Sequence, residues 1–146
     1  TECNIGLSVS AVSTTCSGVG TPGVVVQSAN YALTVGGAFI PMTHSGNVYT
    51  AACTGGAVKE LEFLTALSSG AVFPAGTVVT MDVWSGPTGS GTKTSTTLSG
   101  YSPAGQPNLR LAAQYGPSHP TVPCGGSIRI EIQVPGVGTS IFYINV

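Results

Sequence analysis

The octapeptide SIRIEIQV, Ser127 to Val134, alternates polar and apolar residues without a break. On a β-strand, Ile128, Ile130 and Ile132 all lie on one face and the polar residues between them lie on the other. A helix would spread the same apolar residues around its circumference. The stretch therefore predicts a half-buried strand whose polar face meets water.

The same period of two recurs along the chain, while 21 glycines and 10 prolines leave little room for helices. KELEFLTAL, Lys59 to Leu67, contains good helix formers but also alternates, so it remains either a strand or a helix. We predict an all-β fold: one antiparallel β-sandwich domain over residues 1–146, Ig-like or jelly-roll-like, with about eight to ten short strands. Further strands are predicted at VVVQ (24–27), YALTV (31–35), GAFIPM (37–42), NVYTAAC (47–53), TVVTMDVW (77–84), TKTSTTLS (92–99), LRLAAQY (109–115) and SIFYINV (140–146).

Charge is scarce, at 6% of residues with a net charge of −1, against about 25% charged residues in a typical domain. Four cations spread along the chain do not form a phosphate-tracking surface, so nucleic acid is not an expected partner. No apolar run is long enough for a transmembrane helix, so membrane insertion is not expected either. A nearly neutral surface rich in Thr, Ser and Gly lacks charge repulsion, which favours association between copies.

The four cysteines indicate export and an oxidised framework. The chain begins at Thr1, so we expect that a signal peptide has been removed and that the protein is extracellular. Four cysteines allow three pairings, and we favour Cys3–Cys16 with Cys53–Cys124 over free buried thiols. None of the spacings forms a CxxC motif, which disfavours a zinc site.

GPTGSGTKT, Gly86 to Thr94, differs from a nucleotide-binding loop only by the inserted Thr92. That insertion breaks the spacing between glycine and lysine. The residues that follow are β-branched and hydroxyl-rich, and they do not favour the helix that such a loop requires. We interpret the stretch as a hairpin tip between two strands.

No catalytic motif stands out, so we expect that the protein is not an enzyme and needs no cofactor. The only histidines, His44 and His119, lie in predicted turns, and no G-x-S-x-G pattern occurs. A small hydrolase that uses one of them is the least favoured hypothesis. Glu60 and Glu62 share a face of a strand, which we interpret as solvated. These two acids, or Asp82, would at most hold calcium weakly.

Three aromatic residues lie at or beyond the ends of predicted strands: Trp84, Tyr101 and Tyr115. Such rings stack on sugar faces in carbohydrate-binding modules, so they form the ligand platform of an alternative hypothesis, a secreted module that binds surface glycans. Core or rim packing of Trp84 is the competing interpretation.

The first strand begins close to Thr1, at IGLSVSAV. Residues 1–12 form a candidate donor strand that completes a neighbour's sheet, because strand addition satisfies an open sheet edge. The donor side chains would be Ile5, Leu7, Val9 and Ala11. In composition and strand layout the chain resembles pilin-type and other strand-exchanging filament subunits, although it carries no family motif. The leading hypothesis is a structural subunit of an extracellular filament, pilus-like fibre, surface layer or virion shell, with copies of itself as partners.

Overall fold

A computed structural model of the chain describes residues 23–53, 58–114 and 122–146, and the fold there is almost entirely β. The described part contains ten strands and one short 3₁₀ turn, Pro87–Gly89. In chain order the strands are β1 (Val24–Ala32), β2 (Ile40–Pro41), β3 (Thr43–Ser45), β4 (Val48–Thr50), β5 (Glu60–Leu67), β6 (Val78–Trp84), β7 (Lys93–Tyr101), β8 (Leu109–Gln114), β9 (Ser127–Val134) and β10 (Gly138–Asn145).

A six-stranded sheet runs in the order β3-β4-β10-β9-β6-β7. The strand predicted from SIRIEIQV is β9, in the middle of this sheet, where it pairs antiparallel with β10 and β6. Its isoleucines are buried, as predicted. On the polar face, Gln133 is exposed and Arg129 and Glu131 are half-buried. Ser127 is fully buried, so this end of the polar face does not meet water as predicted. One pairing differs from the antiparallel expectation, because β4 runs parallel to β10.

A four-stranded sheet runs in the order β2-β1-β5-β8. The ambiguous segment KELEFLTAL contains strand β5, since it pairs along its length with β1 on one side and β8 on the other. The predicted strands 24–27 and 31–35 instead meet in one strand, β1, which ends at Ala32 and leaves residues 33–35 in the connection that follows. A register shift between Val26 and Ser28 lets that strand continue through the residues predicted to break it.

The two sheets share one hydrophobic core. Phe63 of the four-stranded sheet lies with its ring centroid 5.1 Å from that of Tyr49 and 5.5 Å from that of Phe142, both of the six-stranded sheet. These edge-on and tilted arrangements are the favourable ones for aromatic pairs. Burial also raises the pKa of Tyr49 above its ordinary value.

The predicted Cys53–Cys124 disulfide is confirmed, with the two Cα atoms 5.7 Å apart. It joins the segment after β4 to the segment before β9, which are 71 residues apart in sequence. The other predicted pair, Cys3–Cys16, lies outside the described residues.

The registers place the connecting segments at two opposite ends of the sheets. Val24 pairs with Leu67, and Gly23 accepts a hydrogen bond from the Ser68 amide, so the start of β1 and the end of β5 lie together. The β9–β10 turn lies at the same end, because a Cβ atom built on Gly23 would overlap Val137. We call this the Gly23 end. The opposite end carries the Cys53–Cys124 disulfide and the last residue, Val146, whose carbonyl accepts a hydrogen bond from Gly125.

Candidate functional site

The face of the six-stranded sheet that points away from the core carries a group of charged and polar side chains. Its residues alternate along the strands with the buried isoleucines and valines. The registers align Thr96, Asp82, Arg129 and Tyr143 in one row across four neighbouring strands. We call this side of the sheet the outer face.

Side chains of the outer face bind one another. Thr96 donates a hydrogen bond to Asp82 Oδ1 over 2.7 Å, and Lys93 Nζ lies 3.9 Å from the same oxygen. Arg129 Nη1 lies 2.7 Å from Glu131 Oε1, and Gln133 donates to Glu131 Oε2 over 2.6 Å. The two acids of this face are therefore already matched by donors of the protein itself.

These contacts shift the pKa values of Glu131 and Arg129. Hydrogen bonds from Gln133 and Arg129 lower the pKa of Glu131 below its ordinary value, since they favour the carboxylate. Burial acts to lower the pKa of Arg129, but its hydrogen bonds to Glu131 and Tyr143 outweigh that effect and raise it. Both groups remain charged across the neutral range, so the pair acts as a fixed structural contact.

The glycine-rich loop that resembles a phosphate cradle lies at the end of the outer face. It is the predicted hairpin tip between β6 and β7, and a strand, not a helix, follows it. Its amides are engaged: Thr88 N–H donates to Asn145 Oδ1 over 2.7 Å, and Gly89 N–H donates to Ser127 Oγ over 2.9 Å. Ser127 in turn donates to the Gly86 carbonyl over 2.7 Å. These hydrogen bonds fix the loop to the sheet, and the Thr88 and Gly89 amides are not available to bind a ligand.

Trp84 and Tyr101, two residues of the predicted aromatic platform, lie far apart in the fold. Trp84 pairs with Lys93 at one end of the β6–β7 hairpin, whereas Tyr101 pairs with Val79 at the other end. Tyr115 lies outside the described residues. The indole Nε1 of Trp84 is buried and has no hydrogen-bond partner in the part of the chain that the structure describes. Trp84 and Tyr101, the two described members of the predicted platform, thus do not form a continuous aromatic strip.

The residues considered for catalysis or metal binding also lie apart. His44 stacks on Tyr49 with ring centroids 4.9 Å apart, and His119 lies outside the described residues. Glu60 is buried and accepts a hydrogen bond from Gly36 N–H over 2.8 Å, so it is not on a solvated face as predicted. Glu62 instead binds Arg110, over 2.7 Å. Within residues 23–53, 58–114 and 122–146, no group of three or more metal-ligating side chains converges.

Open strand edges are the other feature relevant to function. Among the described strands, β7 is the outermost of the six-stranded sheet along all nine of its residues. β1 pairs with β2 only at Asn30 and Tyr31, so its stretch from Val24 to Ser28 has no described strand on that side. The candidate donor residues Ile5, Leu7, Val9 and Ala11 lie outside the described residues.

The polar row of the outer face was not predicted. Alternation identified which residues of β6 and β9 share a face, but the alignment of those strands with β7 and β10 depends on pairing between distant segments. The sequence did indicate one part of the outer face, because Arg129 and Glu131 lie two residues apart and therefore share a face of one strand.

Comparisons with known proteins find no relative. No protein-family model matches the chain, and no curated protein or solved structure matches it. Among the described residues, no helix has the length and apolar character needed to span a membrane.

Proposed function

We propose that this protein is a non-enzymatic structural subunit of an extracellular assembly, a fibre or a shell, and that its copies associate by strand addition. The proposal takes the two sheets as one predominantly antiparallel β-sandwich of Ig-like or jelly-roll-like type. The observation that carries it is the stretch of β1 from Val24 to Ser28, which has no pairing strand on one side among the described residues and comes soon after the candidate donor strand in sequence. A free strand edge is a template for pairing with another chain.

The chemistry of the edges supports this function. Monomeric proteins commonly protect sheet edges with charged side chains or proline. β1 has neither, and β7 carries only Lys93 among nine exposed or half-buried residues. The disulfide agrees with an oxidising compartment outside the cytosol.

Removal of residues 1–12 tests the proposal. We expect the shortened protein to lose ordered polymers in electron microscopy and to have a lower mass by light scattering than the full chain. A finer variant replaces Ile5, Leu7 and Val9 with Asn, because it keeps the backbone and removes the apolar donor face. Its matched control places Asn at Ser8 and Ser10 on the opposite face. Ordered polymers of the shortened protein would refute strand addition by this segment.

The second candidate function is a secreted module that binds carbohydrate. The half-buried ring of Trp84, which lies beside the polar outer face, favours it. This function predicts a monomer that binds immobilised glycans, and the affinity should fall at least tenfold when Trp84 is replaced by Ala. Tyr101→Ala serves as the comparison, since Tyr101 lies at the far end of the hairpin. Equal binding by wild type and Trp84→Ala would exclude Trp84 as the ligand contact.

A further inference from the structure

The Cys53–Cys124 disulfide crosses the end of strand β10. In the six-stranded sheet, β10 lies between β4 and β9. Cys53 comes three residues after the end of β4, and Cys124 comes three residues before the start of β9. The segment after β4 also binds β10 directly, because Ala51 N–H donates a hydrogen bond to the Asn145 carbonyl over 2.8 Å. The disulfide therefore ties together the two strands that flank β10.

The two flanking strands differ greatly in how firmly the sheet holds them. β9 pairs with β10 at eight positions and with β6 at seven. β4 pairs with β10 at three positions, and its other neighbour among the described strands is β3, which also has three residues. A short strand near a sheet edge opens more easily than a long central strand, because fewer hydrogen bonds must break. The β3–β4 hairpin, residues 43–50, is therefore the weaker of the two elements that the disulfide joins.

The rest of the chain anchors this hairpin on both sides in sequence. Before β3, Met42 is buried, and its N–H donates to the Ala29 carbonyl of the four-stranded sheet over 2.8 Å. After β4, the disulfide at Cys53 is the covalent attachment. Without it, the next buried residue described along the chain is Val58, which comes just before β5. Loss of the disulfide thus lengthens the segment between anchors.

The hairpin covers part of the core and one side of β10. Tyr49 of β4 is buried, and its ring packs on those of Phe63 and Phe142. In the hairpin turn, the Asn47 carbonyl accepts a hydrogen bond from Tyr143 N–H of β10 over 3.0 Å. Opening of the hairpin would expose Tyr49 and leave this side of β10 without its partner.

The disulfide is accessible to solvent from one side. Cys124 is exposed, as are its neighbours Pro123 and Gly125, whereas Cys53 is half-buried. Thiol–disulfide exchange begins when a thiolate attacks one of the two sulfurs, and access helps to decide which sulfur is attacked. An external thiol therefore reaches this disulfide at Cys124.

We propose that the Cys53–Cys124 disulfide is a redox-sensitive cross-link that holds the β3–β4 hairpin closed on β10. The thiolate of a dithiol reductant attacks Cys124 Sγ, which forms a mixed disulfide and releases Cys53 as a thiolate. The second thiol of the reductant then attacks the reductant sulfur of that mixed disulfide and releases Cys124. The two cysteines take up the two electrons and two protons that the dithiol gives up, and the reductant leaves as a cyclic disulfide.

Reduction opens the hairpin and leaves the rest of the fold in place. The hairpin opens between its anchors at Met42 and Val58, while β9 keeps its pairs with β6 and β10. The side of β10 that β4 covers becomes a free strand edge in the reduced protein. This inference does not depend on the proposed assembly function.

Amide hydrogen exchange of the full chain, followed by NMR with and without dithiothreitol, tests the proposal. The Ala51 and Tyr143 amides, which form the hydrogen bonds between hairpin and β10, should exchange about tenfold or more faster in the reduced protein. Low concentrations of urea should leave these two rates nearly unchanged, because a local opening exposes little surface. Ile130, paired on both sides in the middle of β9, is the control, and its rate should rise steeply with urea because it reports unfolding of the whole fold.

A double variant, Cys53→Ser with Cys124→Ser, separates this disulfide from the other two cysteines. Without reductant, the variant should already show the fast, urea-independent exchange at Ala51 and Tyr143. Dithiothreitol should not raise these rates further. A further rise would show that reduction acts on the hairpin through the other cysteines, and would overturn the proposal.

Three results with the wild-type chain would also overturn it. The first is a Cys53–Cys124 bond that dithiothreitol fails to reduce in the folded protein, as shown by the mass after alkylation. The second is unchanged exchange of the two hairpin amides after reduction. The third is faster exchange that rises with urea as steeply as that of Ile130, which would show that the disulfide stabilises the whole fold and not the hairpin.

Discussion

Replacement of Phe63 by Ala tests whether the two sheets stabilise each other through one core. Phe63 belongs to the four-stranded sheet, is 1% exposed, and contacts Tyr49 and Phe142 of the six-stranded sheet. Truncation removes the ring that joins them and leaves a cavity between the sheets. Phe39→Ala is the matched control, because it removes the same side chain from a site that is 44% exposed.

Loss of a fully buried Phe side chain costs about 3–5 kcal/mol of the free energy of unfolding. The two aromatic contacts place Phe63→Ala in the upper half of that range, since each pair adds about 0.5–1.5 kcal/mol beyond the buried area. For a chain of this length, the loss lowers the midpoint of thermal unfolding by roughly 8–20 °C. Phe39→Ala should cost about 1 kcal/mol or less.

Urea unfolding monitored by circular dichroism measures both variants. Wild type and Phe63→Ala should each unfold in a single transition with similar dependence on urea, because both retain the same two-sheet structure. Two separate transitions, or equal costs for Phe63→Ala and Phe39→Ala, would refute the shared core.

Three further predictions concern the disulfide, pH and the glycine-rich loop. Replacing Cys53 and Cys124 with Ala opens a cross-link between residues 71 apart, which should cost about 4 kcal/mol in urea unfolding by the chain-entropy relation; an unchanged midpoint would contradict it. The folded state lowers the pKa of Glu131, so this carboxylate stabilises the protein above its ordinary pKa of 4.5 and loses that effect as pH falls through the folded value. The stability difference between wild type and Glu131→Gln should accordingly shrink below pH 4.5, and a constant difference from pH 7 to pH 2 would be inconsistent. Gly89→Ala should destabilise more than Gly100→Ala, by about 1–3 kcal/mol, because both glycines have similar positive φ but only at Gly89 would the added Cβ meet a tyrosine ring, at 2.8 Å; equal losses would show that the ring moves freely aside.

The alternation of polar and apolar residues predicted a strand well where that strand pairs with both neighbouring strands without a register shift. SIRIEIQV became the central strand β9, because burial of one face on the core needs no information beyond the period of two. Composition also excluded long helices. The Cys53–Cys124 pair was one of three open pairings, and the fold now explains it: both cysteines lie at the end of the sheets opposite Gly23.

Features that depend on pairing between distant segments escaped prediction. The Ser-Ala-Asn stretch 28–30 looks like a break, but pairing with β5 carries β1 through it after a shift at Gln27. Trp84 ends one predicted strand and Tyr101 lies just beyond the end of another, yet one antiparallel hairpin places them at its opposite ends. Glu60 looks solvated in the sequence, although the Gly36 amide reaches it from another connection.

Electron microscopy of the purified, non-reduced protein, with its mass measured by light scattering, tests the proposed assembly most directly. The account predicts ordered filaments or shells from the full chain and their loss when residues 1–12 are removed. A clean monomer of 14.5 kDa at all concentrations would contradict self-assembly. The alternative function, glycan binding at Trp84, would then be the next to test.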